Sequence, residues 1–292
     1  MKNKNFFYLT LIVIIILLSV SCIFFIYKYI KADNMTSLFS WKKSIVYDEN
    51  KDTLNRVIDD LKIGRMFQAF DENSFNTNDT HIFLDFLSNK NVKVYYLTGE
   101  PSWAVAEDGL TKMKEEIDIV YNWNRNVDKS NQLSGIVFDI EPYLLDNWKE
   151  DNISILESYN KKMKEAYNYA HDKNVSVILC IPYWYDNDHI IFLDELIKNC
   201  CDEVAVMNYY KSKEYENIKI ELAIAKKYNK NITTIFEFIM PGKHGLTDKN
   251  TYFNDGIQAA QEVYRSLYNN FKYKNFYCSY HHLEPITELL KK

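Results

Sequence analysis

The chain has 292 residues and a formal net charge of −5, with Lys and Arg dispersed along it, so it lacks the basic stripe that marks a nucleic-acid binder. The cysteines beyond the N-terminal region, Cys180, Cys200, Cys201 and Cys278, have no C-x-x-C spacing of the zinc-centre kind. No G-x-G-x-x-G or Walker turn offers a nucleotide cradle either. No metal, no cofactor and no nucleic-acid partner is therefore expected.

Residues 6–30 are almost wholly apolar or small, with no charge before Lys28, a length sufficient to span a bilayer as a helix. Lys2 and Lys4 precede this run while Lys28 and Lys31 follow it. Side-chain charge thus orients it weakly, and the chain's own amino group tips the N-terminus towards the cytoplasm. A cleaved signal peptide is the alternative, since Ser19, Val20 and Ser21 offer small residues near a cleavage position. The apolar run continues past Cys22 through Phe24, Phe25 and Ile26, which favours an uncleaved anchor. Residues 1–34 are expected to form a membrane anchor or signal segment. Residues 35–292 are expected to form a domain that works outside the cytoplasmic membrane, tethered by a single pass or secreted if cleaved.

From residue 37 short apolar runs alternate with longer amphipathic segments. The runs are 37–40, 64–69, 92–97, 135–140, 175–181, 203–207, 232–238 and 276–279. Helical segments include 52–61, 111–123, 153–171, 191–199, 218–228, 256–271 and 283–290, with apolar residues at helical spacing such as Leu156, Tyr159, Met163, Ala166 and Tyr167. Strand–helix alternation implies a parallel sheet. Eight units in this length favour an α/β fold closed as a (β/α)8 TIM barrel, preceded by one N-terminal transmembrane helix. The first unit is open to a second reading, because residues 41–47 could supply its strand instead.

Barrel enzymes carry their chemistry at the C-terminal ends of strands. Taken in order, those ends offer Trp41; Gln68 and Asp71; Glu100 and Trp103; Asp139, Glu141 and Tyr143; Tyr183, Trp184 and Tyr185; Asn208, Tyr209 and Tyr210; Glu237; Tyr280, His281 and His282. Aromatic and acidic side chains gather there, with almost no Lys or Arg apart from Lys243. Aromatic faces stack on the apolar C–H faces of sugars, and carboxylates and amides bind hydroxyls, so this rim suits a carbohydrate substrate. Trp103 and Trp184 are expected as sugar platforms, with Tyr143, Tyr183, Asn208, Tyr209, Tyr280 and His281 also meeting substrate.

The fourth run ends in two carboxylates. Alternation along a strand puts Gly135, Val137, Asp139 and Glu141 on one face, and two adjacent carboxylates on a shared, part-buried face raise one of their pKa values. That is how acid/base catalysts are made. An isolated D-x-E more often just caps a loop, but a barrel strand's C-terminal end shifts the balance towards chemistry. Glu237 lies in an apolar setting where an unpaired surface Glu is unexpected. It is either a second reacting carboxylate or half of a buried ion pair with Lys243 or a barrel neighbour. Strand parity sends His281 and His282 to opposite faces, which favours hydrogen bonding to substrate or a rim carboxylate over metal binding.

Residues 134–141, Ser-Gly-Ile-Val-Phe-Asp-Ile-Glu, resemble the fourth-strand Asp-Gly-x-Asp-x-Asp-x-Glu signature of the chitinase-like family 18 glycoside hydrolases. Met207-Asn-Tyr-Tyr210 resembles that family's sixth-strand Met-x-Tyr-Asp motif. Ser134, Val137 and Tyr210 stand where the family has acids. The resemblance implies Glu141 as general acid, Asp139 holding and polarising a substrate acetamido group, and Tyr209 hydrogen-bonded to that group. Glu141 and Glu237 also resemble the acid/base and nucleophile of the clan A retaining hydrolases, whose carboxylates stand about 5–5.5 Å apart. The expected function is thus extracytoplasmic hydrolysis of a glycosidic bond, with Glu141, Asp139 and Glu237 catalytic. The rival from another class is an inactive barrel that binds glycans at the cell surface.

Overall fold

A computed structural model describes residues 36–71 and 73–291. The strands are β1 (Thr36–Ser40), β2 (Ile63–Gln68), β3 (Lys93–Thr98), β4 (Ile136–Phe138), β5 (Val177–Pro182), β6 (Glu203–Met207), β7 (Asn231–Glu237) and β8 (Phe276–His281). They pair in parallel and in sequence order, and β8 returns to β1 to close the barrel. The first strand is Thr36–Ser40, and the rival segment after it forms a short 3-10 turn at Lys43–Val46.

The helices around the barrel are α1 (Asp52–Leu61), α2 (Asn78–Asn89), α3 (Gly109–Asn126), α4 (Trp148–Asp172), α5 (Tyr185–Asp188), α6 (Ile190–Asn199), α7 (Lys219–Lys227), α8 (Gly256–Phe271) and α9 (Leu283–Leu289). The longer helices bury an apolar stripe. In α1, Leu54, Val57, Ile58 and Leu61 recur at helical spacing and are buried. α2 and the single-turn α5 are additions to the helices anticipated from periodicity.

Alternation divides each strand between two cores. Outward residues such as Leu38, Met66, Phe138 and Leu179 pack under the helices, while Phe39, Phe67, Leu97, Val137, Ile178 and Ile235 fill the barrel. This layered filling makes the interior a packed core rather than a pore. Beneath it lies a polar floor around Arg65 and Glu203, and above it the acidic mouth. The chain approaches itself closely at that mouth: a Cβ on Gly99 would sit 2.3 Å from the Asp139 carbonyl oxygen, so only glycine lets β3 pass the end of β4.

No helix among the described residues is long and apolar enough to cross a membrane. The apolar run at residues 6–30, expected as the transmembrane helix, lies outside the described residues.

Candidate active site

β4 contributes only Ile136–Phe138 to the ladder, but Asp139 continues its path, its N–H donating to the Thr98 carbonyl at 2.9 Å. Alternation therefore persists to Asp139 and Glu141, above the buried Val137. Asp139 Oδ1 is enclosed and has no hydrogen-bond partner, and the Cys180 thiol lies beside the carboxylate. Burial raises the Asp139 pKa, against a smaller pull from His281. Burial and then the Asp139 charge push Glu141 up to about 8. The Tyr143 hydroxyl donates to Glu141 Oε1. One strand end thus supplies two carboxyls whose pKa values are both raised, the outer one holding its proton at neutral pH.

Across the mouth, β7 and β8 supply an opposite arrangement. Glu237 Oε1 accepts the backbone N–H groups of Phe238 and Ile239, each at 2.8 Å. Its Oε2 pairs with His281 Nδ1 at 2.9 Å. Burial would raise the Glu237 pKa, but His281 and those two N–H groups outweigh it and hold the carboxylate below its ordinary range. Burial would likewise lower His281, yet Glu237 first, then Asp139 and Glu141, raise it. The Trp41 indole N–H donates to His281 Nε2 at 3.3 Å, which fixes the neutral ring with its proton on Nδ1, facing Glu237.

Tyr209 turns inward from the end of β6, with its ring centroid 6.1 Å from that of His281. Burial, then Glu237, Asp139 and Glu141, hold its hydroxyl well above its ordinary pKa, so it acts as a neutral donor. Tyr143 and Trp184 meet edge to face at 5.3 Å beside Glu141. Asp139, Glu141, Tyr143, Tyr209, Glu237 and His281 therefore converge, with Trp184 at the edge.

Four expected substrate contacts lie elsewhere. Tyr280 is 2% exposed and faces the helices, edge to face with Phe238 at 5.5 Å; alternation from the inward His281 requires this. Asn208 is buried and outward for the same reason, its Nδ2 donating to the Glu214 carbonyl at 2.9 Å and to Thr234 Oγ1 at 3.2 Å. Trp103 is 6% exposed and packs into the core at one margin of the mouth, so its face is no open platform. Tyr183 lines a flanking cavity together with Tyr210. One residue placed at the rim from the sequence gains a specific role, and one residue was missed. Trp41 is the hydrogen-bond donor to His281, and Cys180 lies under Asp139. The register Phe138↔Leu179 puts Asp139 opposite Cys180 one step on, so β4–β5 pairing was the signal for the latter.

No protein-family model matches the sequence, and no curated protein matches it. Solved structures do. The C-terminal domain of a protein described as a chitinase from Desulfitobacterium hafniense superposes with a TM-score of 0.56 at 11% identity, covering 88% of this chain and 97% of that one. A GH18 chitinase from Pseudoalteromonas aurantia gives 0.52 at 13% identity, over 88% and 99%. A xylose isomerase domain protein from Planctomyces limnophilus gives 0.55 at 11% identity, over 88% and 92%. The likeness at these identities is one of fold, an eight-stranded parallel barrel.

Proposed function

We propose that the chain is a glycoside hydrolase, with Glu141 as the general acid. One observation carries this reading: two inward carboxyls at the end of β4, of which Glu141 keeps its proton to about pH 8. The Tyr143 hydroxyl occupies Glu141 Oε1, leaving Oε2 to carry the proton for the glycosidic oxygen. Asp139, deeper and with an unpartnered oxygen, faces the charge that develops at the anomeric carbon. It also accepts the N–H of an acetamido group whose carbonyl oxygen attacks that carbon as the glycosidic C–O bond breaks and the leaving alcohol takes the Glu141 proton, while Tyr209 donates to the same group. Water then opens the cyclic intermediate with Glu141 as base, so configuration is retained. The chitinases among the fold neighbours support this choice of substrate.

Glu237 suits a different task from nucleophile, because both its oxygens are already bonded. It orients His281 through Nδ1 and raises its pKa. Residues 6–30 would anchor the barrel to the outer face of the cytoplasmic membrane, which favours a cell-surface or environmental polysaccharide. The buried Val137, where the resembled signature has an acid, favours a second reading, glycan binding without turnover.

The test uses the full chain with aryl glycosides of acetamido and neutral sugars. Glu141→Gln should lower turnover of acetamido substrates about 10²–10⁴-fold, with Glu237→Gln costing at least tenfold less than that. Equal losses in the two variants, with neutral sugars accepted, would move the mechanism to double displacement. Absent turnover, with glycan binding indifferent to Glu141→Gln, would make it a binding protein.

A further inference from the structure

The carboxyl pair is flanked on two sides. Between the ends of β1 and β3 lies a cavity of about 340 Å³, lined by Trp41, Asp71, Phe75, Glu100, Trp103 and Glu116 among others. Between the ends of β5 and β6 lies another of about 410 Å³, lined by Tyr183, Asp186, Asn187, Tyr210, Lys213 and Asn217 among others. Each is within the range of about 300–1,000 Å³ usual for small-ligand sites. In a closed ring of this strand order β2 stands opposite β6, so the two cavities face each other across the mouth. Asp139 and Glu141 leave β4 between them.

Each cavity is joined to the centre through a residue already described. Trp41 lines the first and holds His281 through its indole N–H. Tyr210 lines the second and follows Tyr209 in the chain; its carbonyl is fixed by Asn217 Nδ2 at 3.2 Å. The linings are of the kind that holds sugars, with aromatic rings beside amides and carboxylates. The β5–β6 lining is balanced in charge, with Asp186 and Glu216 against Lys213 and Lys219. The β1–β3 lining is negative, with Asp71, Glu100 and Glu116 against Lys43.

Resting on the hydrolase reading, we propose that these cavities are two arms of one cleft that seats a polysaccharide on both sides of Glu141. The enzyme then cuts within chains of neutral or amine-bearing sugars. A cleft closed on one side would hold an end and release single units; this one has a cavity to offer in either direction. Uronate, sulfate or phosphate groups would meet the carboxylates of the β1–β3 arm and be repelled.

Labelled oligosaccharides of two to six units test this, in acetamido, free-amine and uronate series, with products separated by chromatography. The full chain should cleave internal bonds of the hexasaccharides, with kcat/KM rising with length and uronates refused. Tyr210→Ala should reduce the six-unit to two-unit ratio about tenfold, the loss of one aromatic contact. Release of single terminal units alone, a ratio unmoved by Tyr210→Ala, or uronates cut as readily as the others would overturn the proposal and leave hydrolysis standing. Hexasaccharide affinity of Glu141→Gln is measured in parallel. Binding weakened about tenfold by Tyr210→Ala, with no turnover in the parent chain, would sustain the cleft and sink hydrolysis. Neither binding nor turnover would overturn both.

Discussion

His281 is held by two contacts that pull in opposite directions. Glu237 favours the imidazolium through Nδ1, whereas Trp41, donating to Nε2, requires the neutral ring. Protonation therefore breaks the Trp41 contact, because an imidazolium has no acceptor left. Asp139 and Glu141 also face the ring and favour its charge. Glu237→Gln should lower the His281 pKa, and Trp41→Phe should raise it. Titration of the His281 ring protons by NMR measures both, and shifts of the same sign would refute the assignment. Turnover should in turn follow Glu141. Its raised pKa keeps the acid form through neutrality, so the rate falls as pH rises through about 8. A basic limb near the ordinary glutamate range would remove Glu141 from that role.

At the level of single elements, α7 carries another displaced carboxyl. Glu221 is 0% exposed, and neither of its oxygens finds a partner in another residue. Burial, with a push from Asp186, raises its pKa from 4.5 to about 9. Between those values the native state keeps a proton that the unfolded chain releases, so stability falls as pH rises across that window. The slope is about 1.4 kcal/mol per pH unit. Glu221→Gln cannot ionise and should unfold later than the parent at pH 8, with the gap closing towards pH 5. Urea titrations across that range check this, and parallel curves for the two proteins would disprove it. Periodicity over residues 218–228 makes the helix legible, but not this burial, since Glu221 looks like any first-turn acid. β4 shows the reverse case. Alternation alone places Asp139, Glu141 and Tyr209, and applied to the neighbours of Tyr209 and His281 it also turns Asn208 and Tyr280 outward. Trp103 and Tyr183 stand beyond the strand ends, where alternation stops, so nothing in the sequence orients them.

For the whole molecule, strand–helix alternation makes the barrel legible, while contacts across its lumen depend on which strands face one another once it closes. Arg65 on β2 reaches Glu203 on opposite β6, with Nη1 at 3.0 and 2.8 Å from its two oxygens. It also donates to Ser37 Oγ on β1 at 2.8 Å and to Thr233 Oγ1 on β7 at 3.0 Å, and its guanidinium lies 4.5 Å from the Tyr277 ring on β8. One cation thus ties five strands at the end of the barrel remote from Glu141. The pair is buried, so its attraction competes with the cost of removing both charges from water, and its loss is asymmetric. Arg65→Met strands Glu203 and should cost about 3–5 kcal/mol in denaturant unfolding. The double change Arg65→Met with Glu203→Leu should recover most of that, because an apolar floor needs no counter-charge. The rate per folded molecule should be the same in both, since floor and mouth are separated by the packed layer of Phe39, Phe67 and Val137. A double variant no more stable than Arg65→Met would mean that the hydrogen bonds to Ser37 and Thr233, rather than the compensation of charge, hold the floor together.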